Sequence, residues 1–225
     1  SLLSFFLVSG ISCQIRWEHI SSATGAIEVP NKGKQQTSAA VADFDNDGIN
    51  DFCVTERTSA PSVVWYQRTE KGWKRHIVED AICFIEAGTV TFDVDNDGDM
   101  DIIAGGESKT NNVWWWENPY PDFSKPAWPR YLIRNTGGNK VHDQMVGDFD
   151  GDFKPDLVFW AQGDQTLYFT RIPKILMSRE TGSLFLSINI TVTARWNSME
   201  VTLRGNGPMN TKALQRAILM QTEFR

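Results

Sequence analysis

Asp43-Phe-Asp-Asn-Asp-Gly-Ile-Asn-Asp51 is the first of three similar segments from which the architecture of this chain follows. The second is Asp93-Val-Asp-Asn-Asp-Gly-Asp-Met-Asp101, and the third is Asp148-Phe-Asp-Gly-Asp-Phe-Lys-Pro-Asp156. All three carry aspartate at positions 1, 3, 5 and 9. Their first aspartates lie 50 and then 55 residues apart, which predicts a structural unit that is repeated along the chain.

Tryptophans keep the same spacing as the aspartates. Trp65 and Trp115 each lie 22 residues after the first aspartate of their own segment. Trp73 and Trp128 each lie 20 residues before the first aspartate of the next segment. Agreement at several independent positions supports a true repeat over an accidental recurrence of acidic turns.

The stretches between the aspartate segments predict β-strands. In the first unit they are Ser38–Ala42, Asp51–Thr55, Ser62–Tyr66 and Trp73–Val78. Short runs rich in valine, isoleucine, threonine and aromatic residues favour strands over helices. Four strands per unit correspond to one propeller blade. We therefore predict an all-β fold, a partial β-propeller of four-stranded blades spanning residues 14–173, with about two complete blades and part of a third.

The early run Ile15–Ile20 resembles the fourth strand of the unit, which is rich in the same residue types. We expect it to be an outer strand that closes the ring by pairing with the last blade. Closing a sheet or a ring in this way removes unpaired strand edges.

Aspartates at positions 1, 3, 5 and 9 of a nine-residue loop predict a calcium site. Four carboxylates held this close repel one another, whereas Ca²⁺ would use them as hard oxygen ligands. A backbone carbonyl at position 7 would add a ligand. The predicted ligands are Asp43, Asp45, Asp47, Ile49 and Asp51; Asp93, Asp95, Asp97, Asp99 and Asp101; and Asp148, Asp150, Asp152, Lys154 and Asp156.

The loops differ from an EF-hand, although they share its D-x-D-x-D-G start. Position 12 is never glutamate, and each loop is followed by a strand-like run instead of a helix. Gly48 and Gly98 occupy position 6, where a sharp turn is needed, but the third loop has Phe153 there. A side chain costs about 1–2 kcal/mol if that position requires a positive φ. We therefore expect the third site to be weaker or distorted.

These loops resemble FG-GAP or VCBS-type repeats, as in the integrin α-chain propeller and many secreted bacterial proteins. The resemblance covers residues 15–173 and implies a calcium-binding propeller. Val113–Pro119 and Val141–Asp150 are also similar, more loosely, to the propeller of aldos-2-ulose dehydratase relatives.

The composition narrows the class of partner. The chain has 22 basic and 28 acidic residues, which argues against nucleic acid as the main partner. Cys53 and Cys83 lie in apolar runs, which favours buried free thiols. A disulfide is the alternative if the compartment is oxidising.

The first residues predict the compartment. Ser1–Ser12 is apolar, too short for a membrane span of about 20 residues, and ends in small residues. This pattern is typical of a signal peptide, here within residues 1–13 and truncated at its N-terminus, with a buried first strand as the alternative. We expect a secreted, extracellular or periplasmic protein with no membrane span.

Residues 174–225 do not follow the repeat. They contain 3 acidic and 7 basic residues and no aspartate, whereas residues 1–173 contain 25 acidic and 15 basic. A reading-frame shift in the underlying sequence would explain the change, and a divergent C-terminal extension is the alternative. We expect no further aspartate loop there, although the apolar run Ser183–Ile188 could add to the edge of the last blade.

Two functions remain open at this stage. The first is a calcium-stabilised scaffold that binds a protein or carbohydrate ligand, with Trp114 to Trp116 as a candidate sugar platform. The second is a secreted carbohydrate lyase or dehydratase with His142, Asp143 and Glu86 as candidate catalytic residues at the start of inner strands. Ordinary hydrogen bonding at a strand entrance is the simpler role for these three residues.

Overall fold

The structure is a computed structural model that describes residues 17–172 and the backbone of three short strands beyond them. The first sheet contains β1 (Gln36–Ala42), β2 (Asp51–Glu56), β3 (Val63–Thr69) and β4 (Gly72–Glu79). The second contains β5 (Val90–Phe92), β6 (Asp101–Gly105), β7 (Val113–Trp116) and β8 (Arg130–Arg134). The third contains β9 (Val141–Gly147), β10 (Asp156–Ala161), β11 (Thr166–Arg171) and the two-residue β12 (Ser187–Ile188). A separate hairpin pairs β13 (Val192–Arg195) with β14 (Ser198–Val201).

All three sheets have the same antiparallel order, in which each strand pairs with the next along the chain. The four strands predicted in the first unit are confirmed, each within a residue or two of the predicted bounds. The only helical segment among the described residues is a 3₁₀ turn at Ser22–Thr24, so the all-β prediction holds for them. No helix in this part of the chain has the length and apolar character that crossing a membrane requires.

The sheets stack face to face through two hydrophobic cores. Alternate residues of a strand point to opposite faces, so the second sheet contributes to both cores. Ile102, Trp114 and Trp116 pack toward the first sheet, where Trp65 lies in the same core. Trp115 packs toward the third sheet. The prediction that Trp65 and Trp115 pack between neighbouring units is confirmed.

The tryptophan triplet is buried on both faces. Trp114, Trp115 and Trp116 are only 7%, 3% and 0% exposed. Side chains this inaccessible cannot offer a stacking face to a sugar ring. The candidate sugar platform is therefore wrong, because the neighbouring sheets cover both faces of β7.

Hydrogen bonds fasten the first sheet to the second. Glu79, at the end of β4, accepts hydrogen bonds from Trp116 Nε1 at 3.1 Å and from Arg130 Nη1 at 2.6 Å. The backbone N–H of Trp128 donates to the carbonyl of Val78 at 3.0 Å. These bonds satisfy polar groups that would otherwise be buried without partners.

The first strands of the three sheets lie side by side. β5 contacts β1 on one side and β9 on the other, and Ser38 Oγ lies 2.5 Å from Thr89 Oγ1 across the first contact. This is the arrangement of consecutive blades around a common axis. The described residues do not close a ring. Residues 17–20 form no strand, and Ile15 and Arg16 lie outside the described residues, so the ring-closing strand stays a prediction.

Both described cysteines are buried free thiols, as expected from their apolar surroundings. Burial raises the pKa of Cys53 to about 12, so its thiol is unreactive at neutral pH.

Two predictions fall largely outside the described residues. The signal peptide at residues 1–13 is one, and the character of residues 174–225 is the other. Within the second region, Ile188 pairs with Phe169 at the edge of the third sheet. This pairing confirms that the run ending at Ile188 adds to that edge. The frame-shift hypothesis stays a prediction.

Candidate metal centres

The three aspartate segments occupy equivalent places in the three sheets. Each connects the first strand of its sheet to the second, and each therefore lies at the same end of its sheet. We call residues 43–51 loop 1, residues 93–101 loop 2 and residues 148–156 loop 3.

The carboxylate at position 1 folds each loop by accepting backbone hydrogen bonds. Asp43 accepts from the N–H groups of positions 5 and 6 at 3.1 and 2.8 Å, and Asp93 accepts from the same positions at 3.1 and 3.1 Å. Asp148 does so at 3.1 and 3.0 Å. This shared pattern explains why position 1 must be a short acidic side chain.

Positions 4 and 6 have left-handed backbones in all three loops. Glycine tolerates this conformation, and asparagine tolerates it better than most residues. Loop 1 has Asn46 and Gly48 there, with φ of 54° and 86°, whereas loop 3 has Gly151 and Phe153, with φ of 80° and 63°. The suspected positive φ at Phe153 is therefore present, and its side chain is 96% exposed.

Phe153→Gly is expected to raise the free energy of unfolding by up to ~1 kcal/mol. The substitution removes about 1–2 kcal/mol of left-handed strain, and the greater freedom of glycine in the unfolded chain offsets part of the gain. Urea denaturation measures the change. Phe153→Ala is the control, since it keeps the Cβ atom and should give no comparable gain. An unchanged Phe153→Gly stability would show that the loop carries no such strain.

Carboxylates from positions 1, 3 and 9 converge in each loop. In each group, oxygens from the three side chains lie within 4.8 Å of one another, and each group could hold a metal ion. The groups are Asp43, Asp45 and Asp51; Asp93, Asp95 and Asp101; and Asp148, Asp150 and Asp156. The structure thus brings together three of the four predicted carboxylates in every loop.

Position 9 is the buried anchor of each group. Asp51 accepts from Phe44 N at 3.3 Å, from Trp65 Nε1 at 3.0 Å and from Arg68 N at 2.6 Å. Asp101 accepts from Val94 N and Asn118 N, both at 2.8 Å. These donors fix the carboxylate because a buried acceptor without partners is costly.

Position 5 lies outside these groups of three. Asp47, Asp97 and Asp152 each use one oxygen to accept the N–H of position 7, at 2.8, 3.2 and 3.0 Å. This local bond turns the chain toward the second strand. The side chain at position 7 differs between loops, as isoleucine, aspartate and lysine.

The crowded carboxylates are harder to ionise than free aspartate. Burial raises the pKa of Asp101 to about 8, and burial with the charge of Asp97 raises the pKa of Asp99 to about 7. Burial also raises the pKa of Asp95 and of Asp156 to about 6. A bound cation would reverse these shifts because it favours the charged form.

Several loop oxygens are buried without a hydrogen-bond donor. They are Oδ1 of Asp45, Asp95, Asp99 and Asp156, and the last two side chains belong to residues that are 3% and 0% exposed. A buried oxygen without a partner needs an explanation, and an ion is one. The donor set of carboxylates and backbone carbonyls fits a hard divalent cation.

In the presence of a chelator, the melting temperature is expected to fall between about pH 6.5 and about pH 8.5. A carboxyl whose folded-state pKa is raised stabilises the protein at low pH, and this stability is lost as pH rises through the folded pKa. Asp99 and Asp101, with pKa about 7 and about 8, titrate in this window. His76, whose pKa burial lowers to about 4, is neutral there and does not oppose the trend.

Circular dichroism melts in EDTA measure this pH dependence. Saturating calcium is the control, since metal binding requires deprotonated ligands and should abolish the decline. A melting temperature in EDTA that rises over this window would contradict the assignment of raised pKa values to the loops.

The candidate catalytic residues form two separate contacts. His142 Nδ1 lies 2.6 Å from Asp143 Oδ2, and Asp143 is the more exposed partner. Glu86 pairs instead with Arg57. A catalytic role for these residues stays a prediction, which oligosaccharide screening with His142→Ala would test.

Sequence reasoning missed the strand residues that contact the position-3 carboxylates. Gln67 donates a hydrogen bond to Asp45, and Arg171 Nη2 lies 2.5 Å from Asp150 Oδ2. The charge of Glu117 acts on Asp95. Their spacing was the available signal, since they follow position 9 by 16, 15 and 16 residues, in loops 1, 3 and 2 respectively.

Comparison with known families agrees with this geometry. Residues 93–159 match the family model of the FG-GAP-like repeat, a stretch that begins at loop 2 and includes loop 3. No curated protein matches the chain. The match supports an FG-GAP-type repeat, a module for ligand or protein binding. Similarity to the integrin α-chain propeller and to the dehydratase propeller stays a prediction.

Proposed function

We propose that this protein is a secreted, calcium-stabilised β-propeller repeat module that presents a rigid surface to a ligand. The observation that carries the proposal is the recurrence of one carboxylate group in three equivalent loops. Each group gathers three side chains within 4.8 Å, and each loop places its third-position and ninth-position aspartates on successive turns of the same hairpin.

Calcium is the cation that these donors suit best. Ca²⁺ takes six to eight oxygen ligands at about 2.3–2.6 Å in flexible geometry. Magnesium demands a tighter octahedron and retains more water. Zinc and copper prefer nitrogen and sulfur ligands, and the three loops contain neither histidine nor cysteine.

The fold links the loops to a binding function. Three sheets stacked through Trp65, Trp115 and their neighbours resemble successive propeller blades, and propellers contain about 4–8 of them. A cation in a loop would cancel the repulsion between carboxylates and fix the end of its sheet. Rigid, preorganised loops lower the entropic cost of binding a ligand.

A protein is the preferred ligand. The tryptophans that made a carbohydrate attractive are buried between sheets and cannot stack on a sugar. Secretion agrees with a calcium-dependent module, because extracellular calcium sites often have Kd of about 10⁻⁴–10⁻³ M. A carbohydrate ligand remains an outcome that glycan-array binding would detect.

Titration calorimetry of the full chain with CaCl₂ tests the proposal. We expect saturable binding with Kd of about 10⁻⁴–10⁻³ M and a calcium-dependent rise in melting temperature. Magnesium at the same concentration should give a smaller rise. The matched control is the double variant Asp45→Asn/Asp95→Asn, which should lose both effects. Absence of calcium heat and of any thermal shift in the unmodified chain would overturn the proposal.

A further inference from the structure

The three loops share four aspartates but differ at two positions that face the carboxylates. One is position 7 of the loop. The other is the residue opposite position 9 on the third strand of the sheet. These pairs are Ile49 and Gln67 in loop 1, Asp99 and Glu117 in loop 2, and Lys154 and Arg171 in loop 3.

The strand residues are equivalent in the hairpins. Asp156 pairs directly with Arg171. Phe52 pairs with Tyr66, and Ile102 pairs with Trp116, which puts Gln67 and Glu117 next to position 9 of their loops. The difference in sequence spacing therefore does not alter the structural position.

Loop 3 has two cations on its carboxylates. Arg171 places Nη2 at 2.5 Å and Nε at 3.2 Å from Asp150 Oδ2. Lys154 Nζ lies 3.4 Å from Asp152 Oδ2. A guanidinium group bound to a carboxylate is a strong, charge-assisted contact, and it occupies an oxygen that a metal ion would otherwise use.

Loops 1 and 2 have no such cation. Gln67 is neutral and donates its amide to Asp45. In loop 2, the charge of Glu117 acts on Asp95, and the 3% exposed Asp99 has an oxygen with no hydrogen-bond partner. That buried, unpartnered oxygen is an observation independent of the acidic cluster, and it points to an ion. With the shared aspartates, the formal charges are -4, -6 and -2 for loops 1, 2 and 3.

We infer that these two positions decide how each loop is neutralised. Loops 1 and 2 take a divalent cation, more tightly in loop 2, whereas Arg171 and Lys154 serve as built-in counter-ions that make loop 3 independent of metal. This inference rests on the proposed calcium binding. Its physical basis is that a divalent ion is attracted by added carboxylates and repelled by nearby positive groups.

Calcium stoichiometry of the full chain tests the inference. We expect two ions per unmodified chain. Arg171→Gln/Lys154→Ile should raise the number to three, since it gives loop 3 the residues of loop 1. Gln67→Arg should lower the number to one. Glu117→Gln should weaken the tighter site about fivefold, while keeping an acceptor for the Tyr131 hydroxyl.

A second pair of variants leaves the counter-ions in place. Asp150→Asn should leave two calcium ions and the calcium-induced thermal shift unchanged. Asp45→Asn, at the equivalent position of loop 1, should remove one ion. Melting in EDTA gives a readout without metal, in which Asp150→Asn should lower the melting temperature because it breaks the pair with Arg171.

The outcomes separate the inference from the proposed function. No calcium bound by the unmodified chain would overturn both. Three ions bound by the unmodified chain, or loss of one ion in Asp150→Asn, would overturn the role of Arg171 while leaving calcium binding intact. Two ions that become three in Arg171→Gln/Lys154→Ile would support it.

Discussion

Trp65→Ala is expected to lower the free energy of unfolding by about 3–5 kcal/mol, even in the presence of a chelator. Trp65 is fully buried between the first two sheets, with ring centroids 5.9 Å from Phe44 and 6.0 Å from Trp128. Truncating a buried aromatic residue loses its transfer free energy and leaves a cavity. Urea denaturation in EDTA measures this effect apart from any contribution of calcium.

Trp65→Phe is the matched variant, because it keeps most of the ring but removes the indole N–H. Asp51 would lose the donor that lies 3.0 Å from its Oδ2. We expect a smaller loss of stability and about tenfold weaker calcium binding in loop 1, as when other orienting partners of metal ligands are removed. A loss below about 1 kcal/mol in Trp65→Ala would contradict the assignment of this residue to a packed core.

Asp45→Ala is expected to destabilise the protein in calcium and to have little effect in EDTA. Losing one site removes the stabilisation that binding gives, which is about 2.7 kcal/mol at a calcium concentration 100 times Kd. Without calcium, the same substitution removes a carboxylate from a crowded group and relieves repulsion. Paired urea denaturations, with and without calcium, measure the difference.

Asp122→Ala is the control for this experiment. Asp122 lies outside the three loops and accepts only a local bond from Ser124 N at 3.0 Å among the contacts described for it. Its removal should cost the same small amount in both conditions. If Asp45→Ala also gave equal losses with and without calcium, loop 1 would be an acidic turn and not a cation site.

The repeat in the sequence was enough to place the strands and the loops. Aspartate and tryptophan spacing gave the unit, and the apolar runs between them, such as Ser62–Tyr66, fell within observed strands. Alternation along β7 also placed Trp115 between two sheets. The sequence could not show that Trp114 and Trp116 are covered as well, because that depends on which sheet lies on the other face.

Details of the candidate sites were less accessible from sequence. The pattern treated all four aspartates of a loop as equal ligands, but Asp47 uses an oxygen to accept the N–H of Ile49 and lies outside the converging group. The roles of Gln67 and Arg171 depend on pairing across a hairpin, where their different spacing from position 9 conceals their equivalence. Such non-local contacts require the register of the strands.

The most direct measurement is a crystal structure of the full chain grown in saturating calcium, with ions located by their anomalous scattering. The account predicts one ion in loop 1 and one in loop 2, each within about 2.3–2.6 Å of carboxylate oxygens from positions 1 and 3. It predicts Arg171 on Asp150, and no ion, in loop 3. Loops 1 and 2 without an ion under these conditions would contradict the claim that the aspartate repeats are calcium sites.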